Sequence, residues 1–325
     1  MLQKFWYACE FSSQITNKPK RVSLLNQEFV MYRNSRGEVL AFKDQCPHRG
    51  AAISLGWVEG DSIRCPYHGW KFNSEGNCIE IPSNQPGVSI PQKACLNSYP
   101  IQEKYGFIWL FWGNMPEKNR PPLPSLPEIK NPKLRAFEQE FILDAPYRRA
   151  LENNIDPAHS AFVHSKSLGS GMAQQPQIPE YEIITKNFGA TACLYYKQHL
   201  PQGFFWKYMH KKESREIKTE RSFYLPNFIY TNVDNSRLIF IVIQVPVNEN
   251  KTISKYIIYR NFLTYSWADF LFKKQTQRIF LEDRRVIESQ QPKEINYDLA
   301  SESHAIADNL VITYRKLYQK FLDMY

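Results

Sequence analysis

The sequence lacks any apolar run long enough to cross a membrane, which takes about 18–20 consecutive apolar residues. Its longest run, Leu238 to Val247, is interrupted by Gln244 and Pro246 and reads as a strand. The first residues, MLQKFWYACEF, lack the basic start and long apolar core of a secretion signal. Cysteine is sparse, with six in 325 residues. So few, without a secretion signal, argue against a disulfide framework, and a cytoplasmic protein without a membrane span is expected. Cys9, Cys78, Cys95 and Cys193 show no paired spacing and are expected to be small buried side chains. Internal repeats and low-complexity tracts are absent too, as is any flavin or nicotinamide motif.

The composition that is present describes a folded chain. Hydrophobic residues make up 43% and aromatics 14%, enough for real cores, while 22% charged is ordinary. The length predicts about two domains. A net charge of +9 suits nucleic acid, an anionic surface or an acidic protein partner. The charges are dispersed, however, apart from a local enrichment at Lys207 to Arg221, and a solvated surface accounts for them equally well.

From Phe5 to Trp112, short strand-like runs alternate with turns such as Ser35-Arg-Gly37 and Ser74-Glu-Gly-Asn77. That predicts a small all-β domain over residues 1–115. Prolines at 116, 121, 122, 124, 127 and 132 then oppose helix and central strand alike, so 116–132 reads as a connector. Residues 133–325 hold strand-like runs (181–185, 192–199, 222–231, 238–247 and 254–263) between helical candidates at 147–164, 267–290 and 303–324. The chain is α+β: an all-β domain, then an antiparallel sheet with flanking helices.

Two constellations carry chemistry. Cys46-Pro-His-Arg-Gly50 and Cys65-Pro-Tyr-His-Gly-Trp70 each place one thiol and one imidazole in a tight loop. Such a set suits tetrahedral zinc or a [2Fe–2S] cluster with two Cys on one iron and two His on the other. Zinc fingers usually pair like with like beside a helix; here each loop supplies one of each kind within a β domain.

The second is Glu152-Asn-Asn-Ile-Asp-Pro-Ala-His159-Ser-Ala-Phe-Val-His164. Histidines five apart lie about 140° apart around an ideal helix, so they share a metal only if the helix is broken. Pro157 offers a cause. A carboxylate would have to come from far along the chain. Glu282, Asp283 and Glu288 all lie in one candidate helix, and spacing does not choose among them. Asp156, just before Pro157, has the sequence of a helix N-cap. His199, His210 and His304 have no metal-like spacing, and the aromatics of Tyr195-Tyr196, Phe204-Phe-Trp206 and Phe223-Tyr224 read first as core.

Together these motifs resemble the Rieske non-haem iron oxygenases over nearly the whole chain. The compact length and Ser289-Gln-Gln-Pro292 look like their vanillate/dicamba demethylase branch, which also includes the saxitoxin-tailoring hydroxylases. The resemblance implies an N-terminal Rieske domain and a helix-grip catalytic domain. It implies a [2Fe–2S] cluster, one per subunit, on Cys46, His48, Cys65 and His68, and one Fe(II) on His159, His164 and Asp283. Asp283 follows from the family pattern E-D-x-x-V-x-E, which leaves Glu282 and Glu288 as surface groups or supports for the ligands. Asp156 would bridge His159 to a Rieske histidine of a neighbouring subunit in a homotrimer, forming part of the electron path. Electrons would come from a ferredoxin or flavin-containing reductase, with Arg49, Arg64 and Lys71 helping to dock an acidic donor. O2 would be used to hydroxylate or demethylate a small organic substrate. Ring dihydroxylation or pheophorbide-type ring opening is the alternative, and a pure electron-transfer Rieske protein or a nucleic-acid-binding zinc protein the reading least favoured.

Overall fold

The structure, a computed structural model, describes residues 1–167, 177–199, 214–295 and 298–324, with the side chains of 197–199 and 214–215 left aside. Phe204–Trp206, His210 and part of the basic stretch at 207–221 lie outside the described residues. The chain divides into two compact units, Gln3–Arg120 with Pro246–Asn248, and Pro121–Val245 with Glu249–Tyr325 and Met1–Leu2. The division falls within the proline-rich stretch, which carries two short 3-10 turns, Glu117–Asn119 and Pro127–Lys130.

The first unit is all β. Its strands are β1 (Phe5–Phe11), β2 (Lys20–Leu24), β3 (Gln27–Arg33), β4 (Val39–Lys43), β5 (Trp57–Glu59), β6 (Ser62–Arg64), β7 (Lys71–Phe72), β8 (Cys78–Glu80), β9 (Ile101–Lys104) and β10 (Phe107–Trp112). They form sheets in the orders β1-β10-β9, β2-β3-β4 and β5-β6-β7-β8. All seven residues of β1 are buried, so this strand is covered on both faces rather than alternating. Leu25-Asn26 and Tyr105-Gly106 take positive φ at both positions, the geometry that lets two-residue turns follow strand twist. Cys46 and Cys65 sit in an apolar cluster with Val30, Tyr32, Phe42, Ile53, Ile63 and Phe72.

The second unit is built on a seven-stranded sheet. It contains β11 (Arg135–Leu143), β12 (Glu182–Lys186), β13 (Gly189–His199), β14 (Ser214–Tyr224), β15 (Phe228–Val233), β16 (Leu238–Asn248) and β17 (Lys251–Arg260). Their order is β11-β17-β16-β15-β14-β13-β12, and β11–β17 and the pairs from β12 to β16 are antiparallel. Ser222 to Thr231, expected as one strand, is two: Leu225-Pro226-Asn227 turns the chain so that Tyr224 pairs with Phe228. Proline cannot donate to the ladder that a continuous strand would need.

Among the described residues the α-helices are α1 (Tyr147–Ile155), α2 (Ser160–Val163), α3 (Ala268–Ile287) and α4 (Asn309–Met324). The stretch expected as a single helix from 147 to 164 is thus broken. Asp156 leaves the helical region (φ −68°, ψ 122°), as a residue before proline must when ring sterics disfavour the α conformation. Glu152 of α1 is buried and receives both Nε and Nη2 of Arg315 from α4, at 2.7 and 2.8 Å. Nη1 of the same guanidinium binds Glu302 at 2.7 Å. This clamp holds the helix that leads directly into the histidine segment.

The four cysteines outside the metal motifs are only partly as expected. None of the six is joined in a disulfide, and Cys9 and Cys78 are buried, but Cys95 and Cys193 are half-buried.

Candidate metal centres

The two Cys/His loops share one backbone design despite their different histidine positions. In the first, the Gly50 N–H donates to the Cys46 carbonyl (2.9 Å) and Cys46 N–H to the Ala51 carbonyl (2.8 Å). In the second, Gly69 donates to Cys65 (3.1 Å) and Cys65 to Trp70 (2.9 Å). Gly50 and Gly69 hold φ of +76° and +69°, a region that costs a residue with a Cβ. The second loop is closed by β6 and β7, with Arg64 opposite Lys71.

These loops bring the imidazoles together. The rings of His48 and His68 lie 4.5 Å apart, and Trp70 stacks on His48 at 4.5 Å and 6°. Burial pushes the Cys46 thiol up to about 11, with the neighbouring Cys65 adding to the rise against nearby backbone N–H groups. A buried Cys46 raised in this way gives up its proton only with a cation held close by. The buried Nδ1 of His48 has no hydrogen-bond partner, which suits a nitrogen reserved for a metal. The donor set therefore fits a [2Fe–2S] cluster with mixed ligation.

Arg64 and Lys71, expected as docking cations, are engaged within the unit. Arg64 pairs with Glu59 and Glu80, each at 2.9 Å, and donates to the Gly69 carbonyl at 2.7 Å. Lys71 pairs with Glu59 at 3.1 Å. Their charge is largely cancelled locally, so Arg64 secures the second loop rather than presenting a free cation.

The second centre is assembled from the break after α1 and from α3. His159 starts the short turn of α2 and His164 ends it, and the broken helix brings their rings to 5.3 Å. Arg221 of β14 fixes the break by donating to the carbonyls of Asp156 (2.9 Å) and Asn154 (3.2 Å). On α3, Phe280, Asp283 and Ile287 form the buried stripe at i, i+3 and i+7. Phe280 stacks on Phe141 of β11 at 4.2 Å, and with Ile287 it packs against Leu143, Ala145 and Ala150. That packing turns Asp283 inward.

Asp283 Oδ1 lies 3.1 Å from His164 Nε2 and 3.6 Å from His159 Nε2. One donor atom from each of the three residues falls within 4.8 Å of the others. Oδ1 is buried and makes no hydrogen bond. Two imidazole nitrogens and an unsatisfied carboxylate oxygen converging in this way could hold one metal, with positions left open. Burial works against protonation of His164, yet Asp283 and Glu282 together outweigh it and raise its pKa.

Glu288 lies elsewhere, binding the Asp144 N–H (2.9 Å) and Arg284 (2.7 Å). Asp156 accepts from the N–H groups of Ala158 (2.7 Å) and His159 (3.2 Å), the contacts of a capping residue. Its Oδ2 is also 3.4 Å from His159 Nδ1. Burial alone would raise its pKa, but the contacts with His159 and Ala158 bring it below the usual value.

Sequence reasoning missed a buried relay behind the site. Ser254 donates to Gln244 Oε1 (2.5 Å), and Gln244 Nε2 donates to Asn154 Oδ1 (2.9 Å). The polar Gln244 interrupting an apolar strand was its one visible signal. His304 bonds the Leu299 carbonyl and belongs to neither centre.

Residues 5–100 match the Rieske [2Fe-2S] domain family, and residues 143–324 match the vanillate O-demethylase oxygenase C-terminal domain. Methylxanthine N1-demethylase NdmA of Pseudomonas putida is 29% identical over 304 residues, 92% of this chain and 81% of that protein. The iron-sulfur subunit TsaM1 of the toluene-4-sulfonate monooxygenase system of Comamonas testosteroni is 32% identical over 173 residues. That match spans 53% of this chain and about half (49%) of the relative's length. The structure of NdmA with caffeine superposes with a TM-score of 0.78 at 27% identity, covering 96% of this chain and 89% of that one. Dicamba monooxygenase bound to dicamba shares the fold, with a TM-score of 0.81 at 19% identity over 100% of this chain and 98% of that one.

Proposed function

The chain belongs to the Rieske oxygenase α subunits with a vanillate O-demethylase-type catalytic domain, and from that membership we propose that it is a terminal monooxygenase. It takes externally supplied electrons and O2 to hydroxylate or demethylate a small organic molecule. The observation that carries this reading is the convergence of His159, His164 and Asp283 within 4.8 Å, in a chain that also carries the paired Cys/His loops. An electron-transfer protein needs only the loops.

In this reading Cys46, His48, Cys65 and His68 hold the cluster, and His159, His164 and Asp283 hold the iron. When bound, these groups supply one-electron transfer and dioxygen chemistry. The protein's share is placement. The buried stripe of α3 aims the carboxylate, the break at Pro157 brings the two imidazoles together, and His164 and Asp283 are buried while His159 stays partly exposed. Three protein ligands leave positions open for small molecules.

Asp156 belongs to the electron path in this proposal, bridging His159 to a Rieske histidine of a neighbouring subunit in a homotrimer. Its carboxylate is a quarter exposed and already beside the His159 ring, which supports a role beyond capping. The electron donor is a ferredoxin or a flavin-containing reductase. The cytoplasm suits six cysteines that form no disulfide, and among the described residues no helix is long and apolar enough to cross a membrane.

Iron per chain separates the readings, with three expected and two for an electron carrier. Aerobic turnover of a compound panel with a surrogate reductase, followed by mass spectrometry, then identifies the reaction. Gain of one oxygen marks hydroxylation, loss of a methyl carbon marks demethylation, and gain of two oxygens and two hydrogens would replace this proposal with dihydroxylation.

A further inference from the structure

Glu282 and Asp283 are adjacent in sequence but face opposite edges of one imidazole. Asp283 Oδ1 stands 3.1 Å from Nε2 of His164, whereas Glu282 Oε2 stands 3.0 Å from Nδ1. A carboxylate bonded to Nδ1 points away from a metal held at Nε2. Glu282 is therefore placed to act on the ligand rather than to be one.

Its own position is held from two sides. Ser167 Oγ donates to the same Oε2 at 2.6 Å, and Arg278 lies 3.5 Å from Oε1. Gln275 and Arg278 reach the carbonyls of Ser167 (2.7 Å) and Lys166 (3.2 Å). Gln275, Arg278 and Glu282 share one face of α3 at i, i+3 and i+7, so this face grips the turn from His164 to Ser167. His159 has no equal support: its Nδ1 lies 3.4 Å from Asp156 and makes no hydrogen bond.

We infer that Glu282 is a positioning residue that fixes the tautomer and orientation of His164. A neutral imidazole has one N–H and one lone pair, and the bond made by one nitrogen decides which the other carries. With Nδ1–H donating to Glu282, the lone pair is on Nε2, facing the space shared with His159 and Asp283. The carboxylate also makes that nitrogen a stronger donor to a metal. The inference rests on the mononuclear site proposed above.

The test compares Glu282→Ala, Glu282→Gln, Ser167→Ala and Asp283→Ala in the full chain with its cluster loaded. Fe(II) affinity is read by chelator competition, and ligand geometry by the visible bands of Co(II) substituted at the same centre. Cluster absorption and circular dichroism report folding. Glu282→Ala should weaken Fe(II) binding about 10–100-fold and shift the Co(II) bands. Glu282→Gln keeps an acceptor for Nδ1–H and should recover the band positions and much of the affinity. Ser167→Ala should change both little, since the His164 bond remains. Wild-type affinity in Glu282→Ala, or an equal loss in Ser167→Ala, overturns the inference and leaves a purely structural clamp. If Glu282→Ala fails to fold, Glu282→Asp, whose shorter side chain withdraws the carboxylate from Nδ1, takes its place: weakened Fe(II) binding with shifted Co(II) bands is expected, and wild-type affinity with unshifted bands overturns the role. Iron retained by Asp283→Ala would instead sink the mononuclear site itself.

Discussion

The two candidate centres are built on opposite plans. In the N-terminal unit each ligand pair sits in a loop that closes on itself, through hydrogen bonds between residues four and five apart. In the C-terminal unit the carboxylate comes from a distant helix, and even the supporting contact between His164 and Glu282 joins residues 118 apart. In the first design each loop is closed by its own backbone bonds, and the sheet beside it and Arg64 add support from nearby strands. The second depends on packing of α1, α3, α4 and the sheet, and a shift in any of them moves a ligand.

The largest test of this contrast is removal of ligands. Cys46→Ser or His68→Ala should abolish the cluster absorption while iron remains at the other centre. Asp283→Ala, His159→Ala or His164→Ala should do the reverse, with activity falling to background. Iron analysis beside visible spectra reads both. Loss of both centres in any one variant would contradict the independence of the two designs.

Asp156→Asn comes next. Asparagine caps about as well as aspartate, so both centres should stay loaded. It lacks the charge that stabilises a protonated or metal-bound imidazole, and electron passage from cluster to iron should slow by orders of magnitude. Stopped-flow oxidation of the reduced cluster with substrate and O2 measures this. A near wild-type rate would leave Asp156 as a cap alone.

A smaller effect, on stability rather than chemistry, is expected at the clamp behind α1. Arg315→Ala leaves the buried Glu152 without its bidentate partner and with only Arg149 at 4.0 Å, a loss of about 3 kcal/mol. Burial already raises the Glu152 pKa despite Arg315, so the abandoned carboxyl should become neutral. Denaturant unfolding followed by far-UV circular dichroism should shift while the loss of cluster absorption does not. Coincident shifts in both signals would show that the units unfold together.

The smallest expected effect is local. Gly50→Ala places a Cβ at φ +76° and should cost about 1–2 kcal/mol. Open space around that Cβ, with Gln45 Nε2 at 3.6 Å as its nearest neighbour, limits the penalty to the backbone. Cluster absorption should be lost at lower denaturant, with no change in iron affinity at the other centre.

Much of this molecule was legible in the chain itself. The all-β character of the first unit showed in short apolar runs punctuated by turns, and the proline-rich stretch marked the region where the units divide. Pro157 also foretold the broken helix, because its ring acts on the residue just before it. The misreadings have tertiary causes. Arg64 reads as a docking cation because nothing in the chain shows that Glu59, five residues back, and Glu80, sixteen on, converge on it through the β5–β6–β7–β8 sheet. The turn at Pro226 was absorbed into one long strand because apolar residues continue on both sides of it. Ser167 and Asn154 gave no signal, since a hydroxyl or amide acquires its role from whatever the fold places opposite.

The sequence by itself determined the kinds of ligands and the form of the first loops, because those contacts are local and depend on backbone geometry within a few residues. Spacing left Glu282, Asp283 and Glu288 open and the family pattern named Asp283; the tertiary structure supplies the physical reason why that acid faces inward. One step along a helix turns a side chain about 100°, and nothing in Glu282-Asp283 states which direction is inward. Phe280 and Ile287 packing against β11 and α1 set that rotation. They face Asp283 toward two imidazole nitrogens and put Glu282 against the far edge of one ring.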